Sequence, residues 1–557
     1  MLPLAIVATV AFVAGILLGA RHDPADRRTA ERFLRAWDRG DYGAMYGLLS
    51  GAARKDVSAR GFARTYRSAA ETATLLDVIP GRLRGAGDGR FTAPVQAVTK
   101  RFGTLRATVL LTVDATGADP PGVTWERRLA FPGLRAGERL ARTVEMPPRA
   151  ELQARDGRVI ATGPDRTSDL GPLAAEIAGR TGPIPADSAD TYARLGYPPD
   201  ATVGLTGLER QFEQRLAGTF GGTLRAGSRL LARVQPRAAG AVRTSIDLDI
   251  EAAAVTALAG RLGGIAVLRP RSGEVLALAG IAYSAPQPPG STFKIVTLSG
   301  ALDARVARAK STYPVESSTT LSGVKLENAN GESCGGSIGA SFAASCNSVF
   351  APLGARLGPR RLVAAAERFG FNTPDGIVGA PPGSIPAAAE IGDDLAVGST
   401  AIGQGRVTST PLRMAEVAAA IANEGELVRP TLLRGGQGQR SRATSPHTAR
   451  IVRRYMKRVV ESGTGSAAAI PGVSVAGKTG TAELRTTVPD AVVIAPPGAA
   501  QPQPQANDIT DTDAWFVAFA PAGRPAVAVA VLLVGQGAGG ATAAPAAKTV
   551  LQAALGR

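Results

Sequence analysis

Residues 288–301 read PPGSTFKIVTLSGA, and this stretch decides the fold of the C-terminal half. A Pro-Pro-Gly turn is followed by Ser291 and an almost continuous apolar run, which is the pattern of a loop that opens a buried helix. Residues three apart on a helix share a face, so we expect Ser291 and Lys294 to lie side by side. The positive end of the helix would stabilise an oxyanion beside Ser291.

The same spacing of serine and lysine recurs at Ser322 and Lys325, within TTLSGVKLEN. That segment alternates as a strand does, and residues three apart on a strand point to opposite faces. We therefore expect these two residues not to cooperate.

Two further short motifs follow in order, Ser345-Cys346-Asn347 and Lys478-Thr479-Gly480. With the first they form the ordered set S-x-x-K, S-x-N and K-T-G. The segment AGKTGTAE predicts an edge strand able to pair with an extended peptide, its glycine admitting a second backbone. Its lysine and the hydroxyls of Thr479 and Thr481 suit a terminal carboxylate.

The composition limits the chemistry. The chain has two histidines, His22 and His447, two cysteines and eight lysines, so a histidine-rich zinc site is excluded, and we expect neither a metal nor a cofactor. A serine nucleophile needs a base, and Lys294 can serve if burial and a second cation, Lys478, lower its pKa.

The remaining roles follow from position. Ser345 offers a hydroxyl for proton relay, and Asn347 offers an amide for a substrate peptide group. The backbone N–H groups of Ser291 and Thr481 are the natural oxyanion hole. Cys334 and Cys346 bracket the loop that carries Ser345, and a disulfide and two independent thiols both stay open.

The chain of 557 residues is long enough for three or four domains. Residues 24–146 predict a small α+β unit, with helical spacing over 29–49 and strands at 106–114 and 123–131. A second unit, 147–240, contains a strand-turn-strand signal at Asp156-Gly157 and a helix near 205–216. A third, 241–557, contains a helix at 246–262, a hairpin at 264–280, strands at 514–520 and 527–534, a loose Pro/Gln-rich loop at 484–513, and a closing helix at 544–555.

Residues 2–20, LPLAIVATVAFVAGILLGA, carry no charge and at about 1.5 Å per residue match one bilayer core. We expect a retained transmembrane anchor over 1–23. A cleaved signal peptide is the alternative, but it would want a basic start and an A-x-A-like site. The arginines that follow the segment argue for a cytoplasmic body by the positive-inside rule.

The formal net charge is +17, and 45% of the residues are hydrophobic. The positive charge is explained either by a general bias of the sequence toward arginine or by an anionic binding partner such as phospholipid or wall polymer. No nucleic-acid motif accompanies the basic residues, so we expect no nucleic acid partner.

Taken together, the motifs resemble the class B penicillin-binding proteins, membrane-anchored peptidoglycan D,D-transpeptidases. The likeness extends to TSIDLDIEAAAVTAL from Thr244, AIGQG at 401–405, STPLRMAEVAAAIANEG from Ser409 and AWFVAFAP at 514–521. RAELQARDGRVIA and VGLTGLERQFEQRLAGT resemble the family's non-catalytic pedestal. Residues 24–146 resemble the NTF2-like domain of the methicillin-resistance subtype.

The resemblance implies a multidomain α+β fold: an N-terminal transmembrane helix, the NTF2-like domain, the pedestal or dimerisation domain, and a transpeptidase domain with an antiparallel sheet flanked by helices. It implies that Ser291 attacks the D-Ala-D-Ala end of a stem peptide and is acylated by β-lactams. It also implies a single-pass protein of the bacterial plasma membrane, with its body outside the cytoplasm, overriding the positive-inside argument. A membrane glycosyltransferase of the shape, elongation, division and sporulation family is the implied partner.

Two departures accompany the likeness: Asp513 stands where many relatives have histidine, and the loop after Glu483 is long. A class A β-lactamase would need a deacylating E-x-x-L-N stretch, which is absent. A D,D-carboxypeptidase differs only in using water as acceptor and stays open, as does a β-lactam or muropeptide receptor that is acylated without turnover.

Overall fold

The computed structural model describes residues 24–116, 120–483 and 512–557. The predicted anchor at 1–23 and the Pro/Gln-rich stretch at 484–511 lie outside these residues. Among the helices that are described, none has the length and apolarity needed to cross a bilayer. The chain groups into two compact units. The first holds the described residues up to Arg149 with Ile184–Ala201 and Ala217–Ala239, and the second holds the remainder.

The described part of the chain up to Arg149 contains the helices α1 (Ala25–Asp38), α2 (Tyr42–Gly47), α3 (Gly51–Asp56) and α4 (Ala59–Ala73), and the strands β1 (Leu75–Pro80), β2 (Arg84–Gly85), β3 (Arg90–Thr99), β4 (Gly103–Asp114), β5 (Gly122–Thr124) and β6 (Leu140–Arg142). The sheet order is β1-β3-β4-β5, with β2 beside β3. Every second residue of β3 is buried, and the buried face packs on the apolar faces of the helices.

Two predictions for this unit are corrected. The helical stretch at 29–49 is two helices, because Asp41 caps α2 by accepting the Ala44 N–H at 2.9 Å. The strand predicted at 123–131 ends at Thr124, and Arg127–Ala130 forms a 3-10 turn. Leu129, Ala130 and Phe131 are consecutively buried, which a strand with one exposed face does not allow.

Residues 150–240 contain β7 (Leu152–Gln153), β8 (Val159–Ala161), α5 (Pro172–Ala178), β9 (Thr181–Pro183), α6 (Ala189–Leu195), β10 (Thr202–Gly204), α7 (Gly207–Gln211), α8 (Glu213–Leu216), β11 (Gly222–Ala226) and β12 (Arg229–Val234). The strand-turn-strand prediction is confirmed by the antiparallel pair of β7 and β8. The single helix predicted at 205–216 is two short ones, α7 and α8.

From residue 241 the elements are β13 (Val242–Arg243), α9 (Leu248–Leu258), β14 (Gly263–Leu268), β15 (Val275–Gly280), α10 (Lys294–Asp303), β16 (Thr312–Glu316), β17 (Ser318–Leu321), β18 (Val324–Glu327), β19 (Cys334–Ser337), α11 (Ile338–Ala343), α12 (Asn347–Leu357), α13 (Pro359–Arg368), α14 (Asp394–Ala401), α15 (Pro411–Ala422), β20 (Glu426–Val428), β21 (Arg440–Arg442), α16 (Pro446–Ser462), β22 (Ala476–Glu483), β23 (Thr512–Ala520), β24 (Val527–Leu533) and α17 (Ala543–Ala554). The predicted hairpin is confirmed as β14 and β15, and the closing helix as α17.

An antiparallel sheet, ordered β15-β14-β24-β23-β22, is the centre of the second unit. Strand β24 is buried along its whole length, because α9 and α17 cover one face of the sheet while α15 packs on β14 and β24. Burial on both faces explains its uninterrupted apolar sequence. Strand β22, which carries Lys478, lies at the edge as predicted.

Candidate active site

Ser291 lies in a 3-10 turn, Gly290–Phe293, that runs directly into α10. Lys294 is therefore the first residue of the α-helix, and Ser291 stands in the turn before it. The Thr292 hydroxyl donates to the carbonyl of Pro289 at 2.6 Å, which ties the turn to the Pro-Pro-Gly segment. Ser291 is half-buried, whereas its neighbours Thr292 and Phe293 are buried.

This turn packs closely against strand β22. Gly290 has φ +51°, and a Cβ placed on it would lie 2.7 Å from the carbonyl oxygen of Thr481. A Cβ on Gly480 would lie 2.9 Å from the carbonyl oxygen of Pro289. Glycine at 290 allows the positive φ, and glycine at both positions lets the two backbones come this close. The close contact places the backbone of Ser291 beside the K-T-G segment.

Lys294 is fully buried, and its Nζ donates to two oxygen atoms of the S-x-N loop. The acceptors are the Ser345 carbonyl and Asn347 Oδ1, both at 2.7 Å, while Ser345 Oγ lies at 3.5 Å. The two short bonds use two N–H groups, which leaves one position on the nitrogen for a lone pair. Burial, and then the charge of Lys478, hold the pKa of Lys294 well below its ordinary value. The site thus favours a neutral amine, the form that accepts a proton.

Lys478 is equally buried in β22 and approaches the same loop from the other side. Its Nζ donates to Ser345 Oγ at 2.8 Å and to the Thr479 carbonyl at 2.9 Å. The ammonium lies 5.6 Å from the centre of the Phe342 ring, and burial lowers the pKa of Lys478 to about 7. The Ser345 hydroxyl therefore stands between the two lysine nitrogens.

The loop that carries Ser345 is held at several points. Ser345 itself has φ +62°, an unfavourable conformation for a residue with a Cβ. The adjacent Cys346 forms a disulfide with Cys334 of β19, so of the two open alternatives the structure contains the bridge. Asn347 Nδ2 donates to the Glu327 carbonyl at 2.9 Å, which links the loop to strand β18.

The second S-x-x-K occurrence lies apart from this chemistry. The segment is a β17–β18 hairpin instead of the single strand predicted, and Ser322 occupies its turn with φ +47°. Lys325 Nζ donates to Glu327 Oε1 at 2.8 Å, and the Ser322 side chain bonds to Asp393. Each residue thus has a different partner.

Sequence reasoning missed Thr464, which supports the K-T-G strand. Its hydroxyl lies 2.6 Å from that of Thr479, and it also donates to the Ala343 carbonyl at 3.4 Å. Thr464 thereby links β22 to the end of α11, just ahead of Ser345. It lies in a short loop after α16, and no local sequence signal connects it to Thr479.

Asp513, the noted departure from the family pattern, is fully buried in β23 opposite Ala482. Its Oδ1 accepts the Gly535 N–H at 3.1 Å, and burial raises its pKa to about 6. Thr481 also makes a contact beyond the K-T-G segment, because its hydroxyl accepts the Gly539 N–H at 3.5 Å.

This arrangement supports nucleophilic acyl transfer. A half-buried serine lies in a turn ahead of a buried lysine whose pKa is well below its ordinary value, and the Ser345 hydroxyl lies between the amine of that lysine and the amine of a second buried lysine. An edge strand with hydroxyl side chains flanks the serine and can receive an extended peptide.

The geometry agrees with the comparisons to known proteins. The family profile of the penicillin binding protein transpeptidase domain matches residues 263–552, and that of the penicillin-binding protein dimerisation domain matches residues 145–229. The fold is accordingly a multidomain α+β arrangement with a dimerisation and a transpeptidase domain.

Among similar proteins, the peptidoglycan D,D-transpeptidase PbpA of Mycolicibacterium smegmatis is 37% identical over 303 residues, 49% of this chain and 56% of its own length. PbpA of Mycobacterium tuberculosis is 38% identical over 306 residues, with the same coverage. The penicillin G acyl-enzyme structure of penicillin-binding protein A from M. tuberculosis covers 73% of this chain and 99% of that one, at a TM-score of 0.57 and 27% identity. The match thus spans little more than half the length of these curated relatives.

Proposed function

This chain belongs to the penicillin-binding protein transpeptidase family, and from that premise we propose that it is a peptidoglycan D,D-transpeptidase. Its substrates are stem peptides that end in D-Ala-D-Ala, and its product is a peptide cross-link. The convergence of Lys294 and Lys478 on the Ser345 hydroxyl, beside the turn that carries Ser291, is the observation that carries the proposal.

In the proposed reaction, Ser291 Oγ attacks the penultimate D-Ala carbonyl carbon and Lys294 accepts the hydroxyl proton. The backbone N–H groups of Ser291 and Thr481 stabilise the oxyanion. Collapse breaks the peptide bond, a proton relayed through Ser345 reaches the leaving amine, and free D-Ala departs. The amine of a second stem then attacks the ester carbonyl, forms the new amide bond and regenerates Ser291.

Lys478, Thr479 and Thr481 have a binding role in this scheme. The terminal carboxylate of the stem peptide pairs with the Lys478 ammonium and accepts hydrogen bonds from the two hydroxyls, with Thr464 donating to Thr479 when the substrate is bound. The peptide backbone adds to the edge of β22, and Asn347 contacts a peptide group. A β-lactam carries a carboxylate and a strained amide in similar positions, so it acylates the same serine.

The remaining domain assignments belong to this proposal. We assign residues 24–146 to an NTF2-like domain, 147–240 to a pedestal or dimerisation domain, and 241–557 to the transpeptidase domain. Helices packed on one face of a sheet support the first of these. Residues 1–23 anchor the protein in the bacterial plasma membrane with the body outside the cytoplasm, beside a membrane glycosyltransferase of the shape, elongation, division and sporulation family. The uncharged sequence at 2–20 supports the anchor.

The test is the intact mass of the full chain after incubation with benzylpenicillin. We expect one stable adduct of the drug's mass on the wild type, its complete loss in Ser291→Ala, and its full retention in Ser322→Ala. The Ser322 variant is a matched control because that serine also stands three residues before a lysine. An adduct that survives in Ser291→Ala would overturn the assignment of the nucleophile.

A second assay separates transfer to an amine from hydrolysis. Stem peptide is incubated with and without an excess of acceptor amine, and released D-Ala and cross-linked product are quantified. A transpeptidase forms cross-linked product in proportion to the acceptor. Release of D-Ala without cross-links at any acceptor concentration identifies a carboxypeptidase, and an adduct without release of D-Ala identifies a receptor.

A further inference from the structure

The solvent face of α1 carries a line of arginines. Arg28, Arg32, Arg35 and Arg39 are all exposed, and their spacing of four, three and four residues places them along one side of the helix. The line runs about 17 Å along the helix axis. The buried residues of α1, including Phe33 and Trp37, belong to the core of the first unit. We call these four residues the α1 arginine line.

Three of these arginines line a cleft between α1 and α2. Its volume is about 350 Å³, and its walls are Arg32, Arg35 and Arg39 together with Ala36, Ala44, Gly47 and Leu48. Guanidinium groups are thus the charged groups that the cleft presents. Arginine binds phosphate in a planar, two-point geometry, so a cleft of this composition suits a phosphate group.

Of the carboxylates nearest the line, Glu31 and Asp41 make other contacts, and Asp38 is exposed at the end of α1. Glu31 bonds to Arg27 at 3.2 Å and reaches Arg35 only at 3.9 Å. The Asp41 carboxylate caps α2 through the Ala44 N–H. Like charges three and four residues apart destabilise a helix, so α1 keeps an arrangement with an intrinsic cost. An anion lying along the line would offset that repulsion.

The position of α1 in the chain indicates where such an anion is found. The helix begins at Ala25, only a few residues after the uncharged sequence at 2–20, whose length matches one bilayer core. We propose that the α1 arginine line binds the phosphate groups of anionic phospholipids at the membrane surface. This rests on the membrane placement in the proposed function and is independent of the acyl-transfer chemistry. On this proposal, the arginines that follow residue 20 are explained by contact with lipid headgroups and not by a cytoplasmic location of the protein body.

The first test measures the reactivity of individual arginines. The full chain is reconstituted in nanodiscs of phosphatidylcholine alone, or with one part in three of phosphatidylglycerol, and modified with phenylglyoxal. An anionic membrane surface favours binding of each nearby arginine by roughly fivefold. Because a bound guanidinium is less available to phenylglyoxal, we expect Arg32, Arg35 and Arg39 to react several-fold more slowly in the anionic discs. Arg60, Arg64 and Arg67 on α4 are exposed and have the same two intervals in reverse order, and we expect their rates to change little. Equal rates in both lipids at the α1 positions would overturn the proposal.

A matched pair of triple variants provides the second test. Amide hydrogen exchange over residues 25–47 should slow in anionic discs for the wild type and for R60Q/R64Q/R67Q, and should show no lipid dependence for R32Q/R35Q/R39Q. An equal loss in both variants would show a general effect of net charge and contradict a defined site. Protection by millimolar inorganic phosphate in phosphatidylcholine discs would identify a soluble phosphate ligand instead of the membrane. Benzylpenicillin labelling of the same samples reports the acyl-transfer site separately.

Discussion

At the scale of single residues, the proposed mechanism depends on the protonation of two buried lysines, Lys294 and Lys478. Two ammonium groups in so small a volume repel each other, and both lose hydration. Burial and the charge of Lys478 both lower the pKa of Lys294, whereas burial alone lowers that of Lys478. We therefore expect Lys294 to be the neutral amine and Lys478 to be the one that keeps its proton. In the proposed mechanism, this division makes Lys294 the base and Lys478 the contact for the substrate carboxylate.

The division predicts how acylation depends on pH. The pKa of Lys294 lies well below its ordinary value, so its base form is retained as the pH rises. The pKa of Lys478 is about 7, so raising the pH above 7 removes the charge that attracts the substrate carboxylate. We expect the second-order rate constant for acylation by a chromogenic cephalosporin to fall with rising pH above about 7, by up to tenfold per pH unit.

The control for this prediction is Lys478→Arg, whose guanidinium stays charged at these pH values. The variant should react more slowly overall but lose the decline between pH 7 and 9. An unchanged rate constant across that range in the wild type would show that Lys478 does not titrate there.

The same residues show how far sequence alone leads. Ser291 and Lys294 can be proposed from sequence because their local spacing at a helix start predicts that they share a face. Only the ordered set of motifs predicts the roles of Lys478, Thr479 and Asn347. The sequence does not predict the contact of Thr464 with Thr479, because it arises from tertiary packing between separate elements.

At the scale of elements, the site depends on how closely the Ser291 turn approaches β22. Gly290 and Gly480 allow the two backbones to meet without side chains between them. A displacement of the turn by even a fraction of an ångström would move Ser291 away from the Thr481 N–H proposed for the oxyanion hole. Such misplacement weakens a preorganised site strongly.

This predicts a specific effect of Gly290→Ala. The added Cβ would lie 2.7 Å from the Thr481 carbonyl oxygen, in a backbone conformation with φ +51° that alanine disfavours. We expect the acylation rate to fall by roughly 100-fold, about the loss of one oxyanion contact. Stopped-flow measurement with a chromogenic cephalosporin gives the rate, and circular dichroism confirms that the variant is folded.

Gly323→Ala is the matched control, since Gly323 also has positive φ, at +80°, but faces open space in the β17–β18 turn. It carries a similar conformational cost without the clash, so its acylation rate should stay within about twofold of the wild type. Equal losses in both variants would mean that general destabilisation, and not the approach to β22, lowers the rate.

Elements differ in how well their sequences predict them. Strand β24 and helix α17 follow long apolar patterns, and the structure has them within one or two residues of the predicted bounds. Only the first two residues of the segment at 123–131 belong to a strand, and the chain then turns, because successive apolar side chains all enter the core. Short segments of this kind are decided by tertiary packing.

At the scale of the whole molecule, the two compact units are not continuous in sequence. Ile184–Ala201 and Ala217–Ala239 group with the N-terminal unit although sequence composition sets no boundary there. A linear reading of domains cannot anticipate such interleaving, because it arises from long-range contacts. The large second unit was predictable as a fold because its motifs and apolar strands occur in a recognisable order.

The stability of the whole molecule should depend on a buried carboxyl that has no role in the proposed reaction. Glu251 of α9 is fully buried, and its Oε2 accepts the Leu278 N–H of β15 at 2.7 Å. Burial raises its pKa from the ordinary 4.5 to about 8. Between these two values the folded protein holds the proton and the unfolded chain does not, so unfolding releases a proton. The free energy of unfolding therefore falls as the pH rises through this window, by up to about 1.4 kcal/mol per pH unit.

Glu251→Gln removes the titrating group while keeping an oxygen that can accept the Leu278 N–H. Thermal unfolding is followed by intrinsic fluorescence in detergent micelles. We expect the unfolding midpoint of the wild-type chain to decrease from pH 5 to pH 8 relative to that of Glu251→Gln. Glu274→Gln is the control, because Glu274 is a buried carboxylate next to the same strand that also accepts a backbone N–H, that of Gly435 at 2.8 Å. If the difference between the wild type and Glu251→Gln stays constant with pH, Glu251 is not protonated in the fold. If Glu274→Gln changes the slope as much, loss of a carboxylate contact to the backbone accounts for the effect.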